Sequence, residues 1–400
     1  MTIKDIEQAA YRLQGVIHKT PIERSKTFSD MVDAEVYLKF ENLQKTGSFK
    51  IRGAYNKMAV LNEAEKPNAV VASSAGNHAQ GVAFAAQQLG IPATIVMPRS
   101  APIAKVAATE GYGAQVVLHG DVYDDAYNKA IEIRDETSGV FMHPFDDEDV
   151  IAGQGTIGLE ILADLPLVDI VVIPAGGGGL LSGVACCIKN INPRIKVIGV
   201  QAEGAKAIKN SFGKDAVVQS EFVRTIADGI AVKNPGEITH QYINKYVDEI
   251  VTVSDDEIAE TILLLLERSK QVIEPAGATS LSAVLNGKID VRDKKVACIL
   301  SGGNIDVSFI HRVIQKGLVK RGRQMKFNTI LPDVPGSLVK LSQSISELGA
   351  NIVLVSHDRV NVDLSLDEAI IHIGCEVGSE DHGAKVVYGL TKLGYKITLE

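Results

Sequence analysis

The feature that most narrows what this chain can fold into is the alternation of short β-branched runs with stretches of helical length. Runs at 69–72, 93–97, 114–118, 170–173, 196–200 and 295–300 are nearly continuous in apolar residues and too short for helices. That is the pattern of strands buried on both faces. Between them lie helix-length stretches such as 77–89, 123–135 and 255–270, and Gly90, followed by Pro92, marks where the first of these stops. The alternation predicts a doubly wound α/β architecture.

The order changes near Lys320-Arg-Gly-Arg323, a short basic stretch that reads as a linker. Beyond it the pattern predicts strand 325–331, helix 337–348, strands 351–357 and 368–377, helix 383–393 and strand 395–399. This is the βαββαβ order of a ferredoxin-like unit, a second kind of domain appended to the first.

Composition removes several classes of function. With 46% hydrophobic and 22% charged residues over 400 positions, there is ample material for a packed core. A net charge of −8, aromatics at 5% and no tryptophan argue against nucleic acid and anionic membrane surfaces as partners. No apolar run approaches the ~20 residues of a membrane span, and the charged first residues lack the apolar core of a signal peptide. Cys186, Cys187, Cys298 and Cys375 have no zinc-type spacing and read as small buried hydrophobes in a reducing cytoplasm.

Four segments carry chemistry. Gly176, Gly177, Gly178 and Gly179 follow one strand and open a helix. Consecutive glycines there let backbone N–H groups converge on a phosphate, although a tight turn would also use them. No Lys-Ser/Thr follows, so this is not a Walker A loop. Ser301-Gly-Gly-Asn304 sits at another strand end, where open α/β sheets place ligands. In Ser73-Ser-Ala-Gly-Asn-His-Ala-Gln-Gly81 a strand gives way to an alanine-rich helix, and Ser74, Asn77 and the helix-start amides suit either a cap or a carboxylate. Lys50 lies beside Phe49 among small residues with few charges nearby, the setting in which a desolvated lysine acts as nucleophile or base.

Together, Ser48-Phe-Lys-Ile-Arg-Gly-Ala54, Ser74-Ala-Gly-Asn-His-Ala-Gln-Gly81, Gly176-Gly-Gly-Gly179 and Ser301-Gly-Gly-Asn304 resemble, in order and context, the fold type II (tryptophan-synthase-like) pyridoxal-phosphate enzymes. More narrowly, the chain resembles threonine dehydratase (threonine ammonia-lyase) along nearly its whole length. Leu331-Pro-Asp-Val-Pro-Gly-Ser-Leu338 and Leu348-Gly-Ala-Asn351 resemble the opening of an ACT domain. The resemblance implies a two-lobed catalytic region at 1–322, with a large lobe at 1–50 and 150–322 and a small lobe at 51–149. An ACT-type regulatory domain would occupy 324–400. It further implies a cytoplasmic homo-oligomer, dimer or tetramer, that takes a small amino acid as substrate and an amino acid as effector.

Residue by residue, the resemblance implies that Lys50 holds pyridoxal 5′-phosphate covalently and later takes the Cα proton. Phe49 would pack on the pyridine ring, Asn77 would reach its 3′-oxygen, Gly176 to Gly179 would cradle the phosphate and Ser301 would face the ring nitrogen. A neutral serine there makes a weaker electron sink than a carboxylate would, which suits elimination. Ser74, Gly76, Asn77 and His78 would bind the substrate carboxylate, and the cofactor phosphate would protonate the departing hydroxyl. In the tail, Gly336, Ser337 and Asn351 would hold an effector.

Serine racemases of this group carry a second serine where this chain has Ala75, and a methyl group cannot move a proton. Their metal ligands align with Gln201 and Ala207, so that cation site reads as lost, with Glu203 the remaining acidic side chain nearby. The expected reaction is dehydration and deamination of L-threonine to 2-oxobutanoate and ammonia, with L-serine also accepted. An L-serine dehydratase and a catalytically idle amino-acid sensor on the same fold are the alternatives.

Overall fold

The computed structural model describes residues 1–64, 66–360 and 365–399. They form two compact units, Met1–Ile305 and Asp306–Glu400.

The first unit holds two sheets. Four parallel strands, in the order Gln115–Leu118, Ala93–Met97, Val70–Ser73 and Val140–Phe141, make the smaller one. The larger sheet runs Ile22–Arg24, Glu35–Phe40, Lys295–Leu300, Ile170–Pro174, Lys196–Ala202 and Glu249–Val253, all parallel except the first pair. The strands at Val70–Ser73 and Ile170–Pro174 are buried throughout, as their unbroken apolar composition requires. Gln115–Leu118, expected to be buried on both faces, is instead a half-exposed edge strand with Ala93–Met97 as its one neighbour among the described residues. Helix Asn77–Leu89 stops at Gly90, which takes φ +61°. The stretch expected as one helix over 255–270 is α-helical only at Asp255–Leu264, then widens into a π-helical turn at Leu265–Ser269. All four cysteines are free and buried.

Two long, largely apolar helices fill the centre. Glu148–Asp164 and Gly179–Ile191 are buried over most of their length. They pass so closely that a Cβ at Gly183 would lie 2.3 Å from the Ile151 carbonyl oxygen. No helix among the described residues is long and apolar enough to cross a membrane.

In the second unit, helix Val307–Lys320 precedes the βαββαβ order Gln324–Pro332, Ser337–Glu347, Asn351–Asp358, Glu368–Glu376, Glu380–Lys392 and Thr398–Leu399. The basic stretch at 320–323 is therefore the turn from that helix into the first strand, and not a free linker. The sheet is antiparallel, with strands starting at 351, 368, 324 and 398 side by side in that order. The final strand, expected over 395–399, is reduced to Thr398–Leu399.

The register corrects the expected effector site. Asn351 pairs with Glu376, which pairs with Gln324 at one end of the sheet, whereas Pro332, just before Gly336 and Ser337, pairs with Glu368 at the other end. The helix between Ser337 and Asn351 spans roughly 16 Å at 1.5 Å per residue. One copy of this unit thus cannot bring Gly336, Ser337 and Asn351 onto one amino acid. The Asn351 amide is also engaged, donating to Glu376 at 3.3 Å.

Candidate active site

Three strands, Val70–Ser73, Ile170–Pro174 and Lys295–Leu300, end at one cavity of about 660 Å³. Their carboxyl ends deliver the three loops singled out above, the arrangement by which open α/β sheets build ligand sites. Lys50, Phe49, Ser74, Gly76, Asn77, His78, the four glycines from 176 to 179 and Ser301 all line it.

Lys50 is the first residue of helix Lys50–Ala64, and the backbone before it is fixed to the large sheet. The Phe49 amide donates to the Ser301 carbonyl at 3.1 Å, and Ser48 bridges to Gly302. The Lys50 amine donates to the Pro144 carbonyl oxygen at 2.9 Å and stands 5.3 Å from the centre of the Phe49 ring. Loss of solvent pulls its pKa down to about 8, with the negative charge of Glu274 opposing the shift. A proton on this amine is therefore held loosely, as a base working near neutral pH requires.

Two residues further on, Arg52 is fully buried. It makes a two-pronged contact with Glu41, at 2.8 Å on both oxygens, and reaches Glu160 at 2.6 and 3.0 Å. Burial alone would lower the guanidinium pKa, but Glu41 and Glu160 together hold it above the ordinary arginine value. This cluster ties the start of the lysine helix to strand Glu35–Phe40 and helix Glu148–Asp164.

The glycine loop is shaped by its neighbours as well as by any ligand. Gly178 takes φ +100°, and a Cβ at Gly177 would lie 2.3 Å from the Phe145 ring. The amides at the start of helix Gly179–Ile191 lack intrahelical partners by construction, and that end lines the cavity.

At Ser74–Gly76 the serine does not cap the helix. Its Oγ accepts from the Gly76 amide at 3.2 Å. Gly76 is free of packing demands, since a Cβ there would meet nothing within 4 Å. The His78 side chain corrects an expectation. Its ring is buried, and Nε2–H donates to the Met142 carbonyl at 2.7 Å. Burial, with the Lys50 charge adding to it, drives its pKa down to about 3. A neutral, engaged imidazole does not bind a carboxylate, which leaves only the His78 backbone amide for that task. Ala75 lines the cavity with its methyl group, and the buried Gln201 amide donates to the Ala175 carbonyl and accepts from the Lys209 amide.

Sequence reasoning missed Glu274. It is 5% exposed, lines the cavity and accepts from Asn77 Nδ2 at 2.7 Å. Burial pushes its pKa up to about 8, the nearby Asp228 adds to this, and Asn77, Lys105 and Lys50 oppose it. The available signal was an acidic residue directly before proline at the head of the uncharged, buried helix Pro275–Leu285.

The set fits a phosphorylated pyridine aldehyde: an amine of lowered pKa, a flat aromatic neighbour, an open nest of amides and a neutral hydroxyl at the opposite strand end.

A match to the pyridoxal-phosphate dependent enzyme family spans residues 13–302. The chain belongs to that family. It is 51% identical over 399 residues to an L-threonine ammonia-lyase of Thermotoga maritima, covering 100% of this chain and 99% of the relative. A catabolic L-threonine dehydratase of Escherichia coli K12 is 49% identical over 315 residues, which is 78% of this chain and 96% of that one. The E. coli enzyme thus leaves no room for a second unit of this size. Among solved structures, maize serine racemase superposes with a TM-score of 0.75 at 34% identity, covering 80% of this chain and 98% of that one.

Proposed function

We propose that this enzyme dehydrates and deaminates L-threonine to 2-oxobutanoate and ammonia, and accepts L-serine as well. The observation that carries the reading is the Lys50 amine, desolvated and hydrogen-bonded at 2.9 Å inside a cavity that also holds a glycine nest. The identity to the Thermotoga maritima ammonia-lyase over the full length supports the substrate.

When bound, pyridoxal phosphate supplies the electron sink that stabilises negative charge at Cα. Lys50 would hold the cofactor and, as a free amine, would take the Cα proton on Nζ. Gly176, Gly177, Gly178 and Gly179 bind the phosphate through backbone amides, and Phe49 offers its ring face to the pyridine. Ser301 would give the ring nitrogen a neutral partner. Asn77 would donate to the 3′-oxygen. The backbone amides from Gly76 to His78, with the Ser74 hydroxyl, receive the substrate carboxylate at a helix N-terminus. The β-hydroxyl would leave as water on receiving a proton, the Cα–H and Cβ–O bonds giving way to a C=C bond, and water would convert the resulting unsaturated amine to the 2-oxo acid and ammonium. An additional methyl on Cβ is worth only ~1–3 kcal/mol in an apolar pocket, so threonine and serine both react.

The likeness to maize serine racemase favours a second reading, racemisation. Ala75 argues against racemisation, because a methyl group at that cavity position cannot move a proton. Incubating the full chain with L-serine tests this: pyruvate without D-serine is expected, whereas D-serine accumulating as fast as pyruvate refutes it.

The second unit is a regulatory ACT-type domain in this reading. The effector sits between two copies, each contributing one end of the antiparallel sheet. Its full-length sharing with the Thermotoga maritima ammonia-lyase and its absence from the E. coli catabolic dehydratase support an added role.

A further inference from the structure

We propose that Asn304 and Glu274 are positioning residues that act through Asn77, fixing its side-chain amide as a hydrogen-bond donor toward the cavity. The inference rests on the reading of Asn77 as a cofactor contact and adds what sets its direction.

Three side chains form a line from Asn304 to Glu274, with Asn77 between them. Asn304 Nδ2 donates to the Thr46 carbonyl at 2.8 Å and to Asn77 Oδ1 at 2.7 Å, while Asn77 Nδ2 donates to Glu274 at 2.7 Å. The polarity of the line has only one sense. The Thr46 carbonyl accepts and cannot donate, so the Asn304 amide must face it with nitrogen. Both Asn304 hydrogens are then engaged, and the second obliges Asn77 to offer its oxygen. That turns Asn77 Nδ2 toward Glu274, whose Oε1 accepts from it at 2.7 Å. One of the two Nδ2 hydrogens goes to Glu274, and the other remains for a group in the cavity that Asn77 lines.

The socket around Asn304 is tailored to this. Gly47, at φ +70°, packs against its amide so closely that a Cβ there would lie 2.3 Å from Oδ1. The Gly303 amide donates to the Gly47 carbonyl at 2.9 Å and holds the two loops together. Glu274 is pinned in turn: its amide donates to the Gly302 carbonyl at 3.1 Å, and a Cβ on Gly302 would lie 2.4 Å from its Oε1. Without these neighbours the Asn77 amide would be free to rotate about its last side-chain bond. Half of its orientations would then aim an acceptor at the electron-rich ring oxygen.

The test is a double-mutant cycle on the equilibrium dissociation constant of pyridoxal phosphate, read from absorbance in the full-length chain, with the visible spectrum of the bound cofactor as second readout. Asn77→Ala and Asn304→Ala are each expected to weaken binding roughly tenfold, the worth of one hydrogen bond to a charged acceptor. Adding Asn304→Ala to Asn77→Ala should cost less than about twofold more, because residues acting as one unit are non-additive. Glu274→Gln, which keeps an oxygen for Asn77, should retain the wild-type spectrum, whereas Glu274→Ala should alter it. Should Asn77→Ala bind the cofactor normally, the reading of Asn77 fails and this inference with it. Should Asn77→Ala weaken binding while the two asparagine effects simply multiply, the inference alone fails. The cycle also absorbs general loss of fold, which would multiply rather than vanish in the Asn77→Ala background.

Discussion

The Lys50 amine donates to the carbonyl oxygen of Pro144 at 2.9 Å, so the reactive nitrogen at the head of helix Lys50–Ala64 is held by the chain that follows strand Val140–Phe141. This contact parks the amine at the cavity wall, where loss of solvent keeps its pKa near 8. Lys50→Ala is expected to fold, to lose steady-state turnover and to leave no covalent cofactor. Borohydride reduction followed by peptide mass analysis checks this, since the wild-type chain should carry the reduced cofactor on Lys50. Ammonia release near the wild-type rate by Lys50→Ala would overturn the assignment.

The glycine loop gives a sharper expectation than the sequence alone allows. A side chain at Gly177 strikes the Phe145 ring before it reaches any phosphate. Gly177→Ala should therefore destabilise even the cofactor-free chain, by about 1–3 kcal/mol as overpacking does. Chemical denaturation of the cofactor-free chain measures it. An unchanged midpoint, with cofactor affinity alone reduced, would show that the loop has room for a methyl group.

Much of the site was legible because its chemistry rides on backbone motifs. Lys50 stands out by its small, uncharged neighbours, and the four glycines by being more than a tight turn needs. What was hidden depends on three-dimensional neighbours. Glu274 meets Asn77 across 197 positions of sequence, and nothing local to Glu-Pro-Ala-Gly says that a carboxylate lies beside a lysine. The resemblance puts His78 at the substrate carboxylate, but its ring N–H is already given to the Met142 carbonyl. In the tail, Ser337 and Asn351 flank a single helix, yet that helix carries them to opposite ends of the sheet. The exposed edge at Gln115–Leu118 was missed because an apolar run does not reveal how many neighbours its strand has.

Glu274 makes the stability of the cofactor-free chain depend on pH. Its carboxyl is raised from 4.5 to about 8 in the folded state by burial, with Asp228 adding and Asn77, Lys105 and Lys50 opposing. The folded chain therefore keeps a proton that the unfolded chain releases. The group's contribution is fully present below about pH 4.5 and is lost as pH rises through about 8. Glu274→Gln removes this loss, so its melting temperature relative to wild type should rise between pH 5 and pH 8. A flat difference over that range would contradict the buried, weakly compensated carboxylate.

The buried cluster at Arg52 should be costly to break. Arg52→Met leaves Glu41 and Glu160 without their main partner, a loss of about 3–5 kcal/mol when a buried pair is split. Urea unfolding measures it, and a loss below about 1 kcal/mol would mean that the buried Lys39, whose amine also contacts Glu160, compensates both carboxylates.

Removing residues 324–400 should leave threonine turnover within about threefold of the full chain and abolish any amino-acid response. Couplings of this kind are typically ~1–3 kcal/mol, or about 5–150-fold. Turnover with and without each branched-chain amino acid, in both chains, checks it. An identical response in the truncated chain would place the effector in the catalytic unit.

The most direct measurement is the stoichiometry of the reaction itself. The full-length chain, supplied with pyridoxal phosphate and L-threonine, should release 2-oxobutanoate and ammonium in equal amounts, with no reaction when Lys50 is alanine. A wild-type chain that carries the cofactor on Lys50 yet forms no 2-oxo acid from L-threonine would contradict the account.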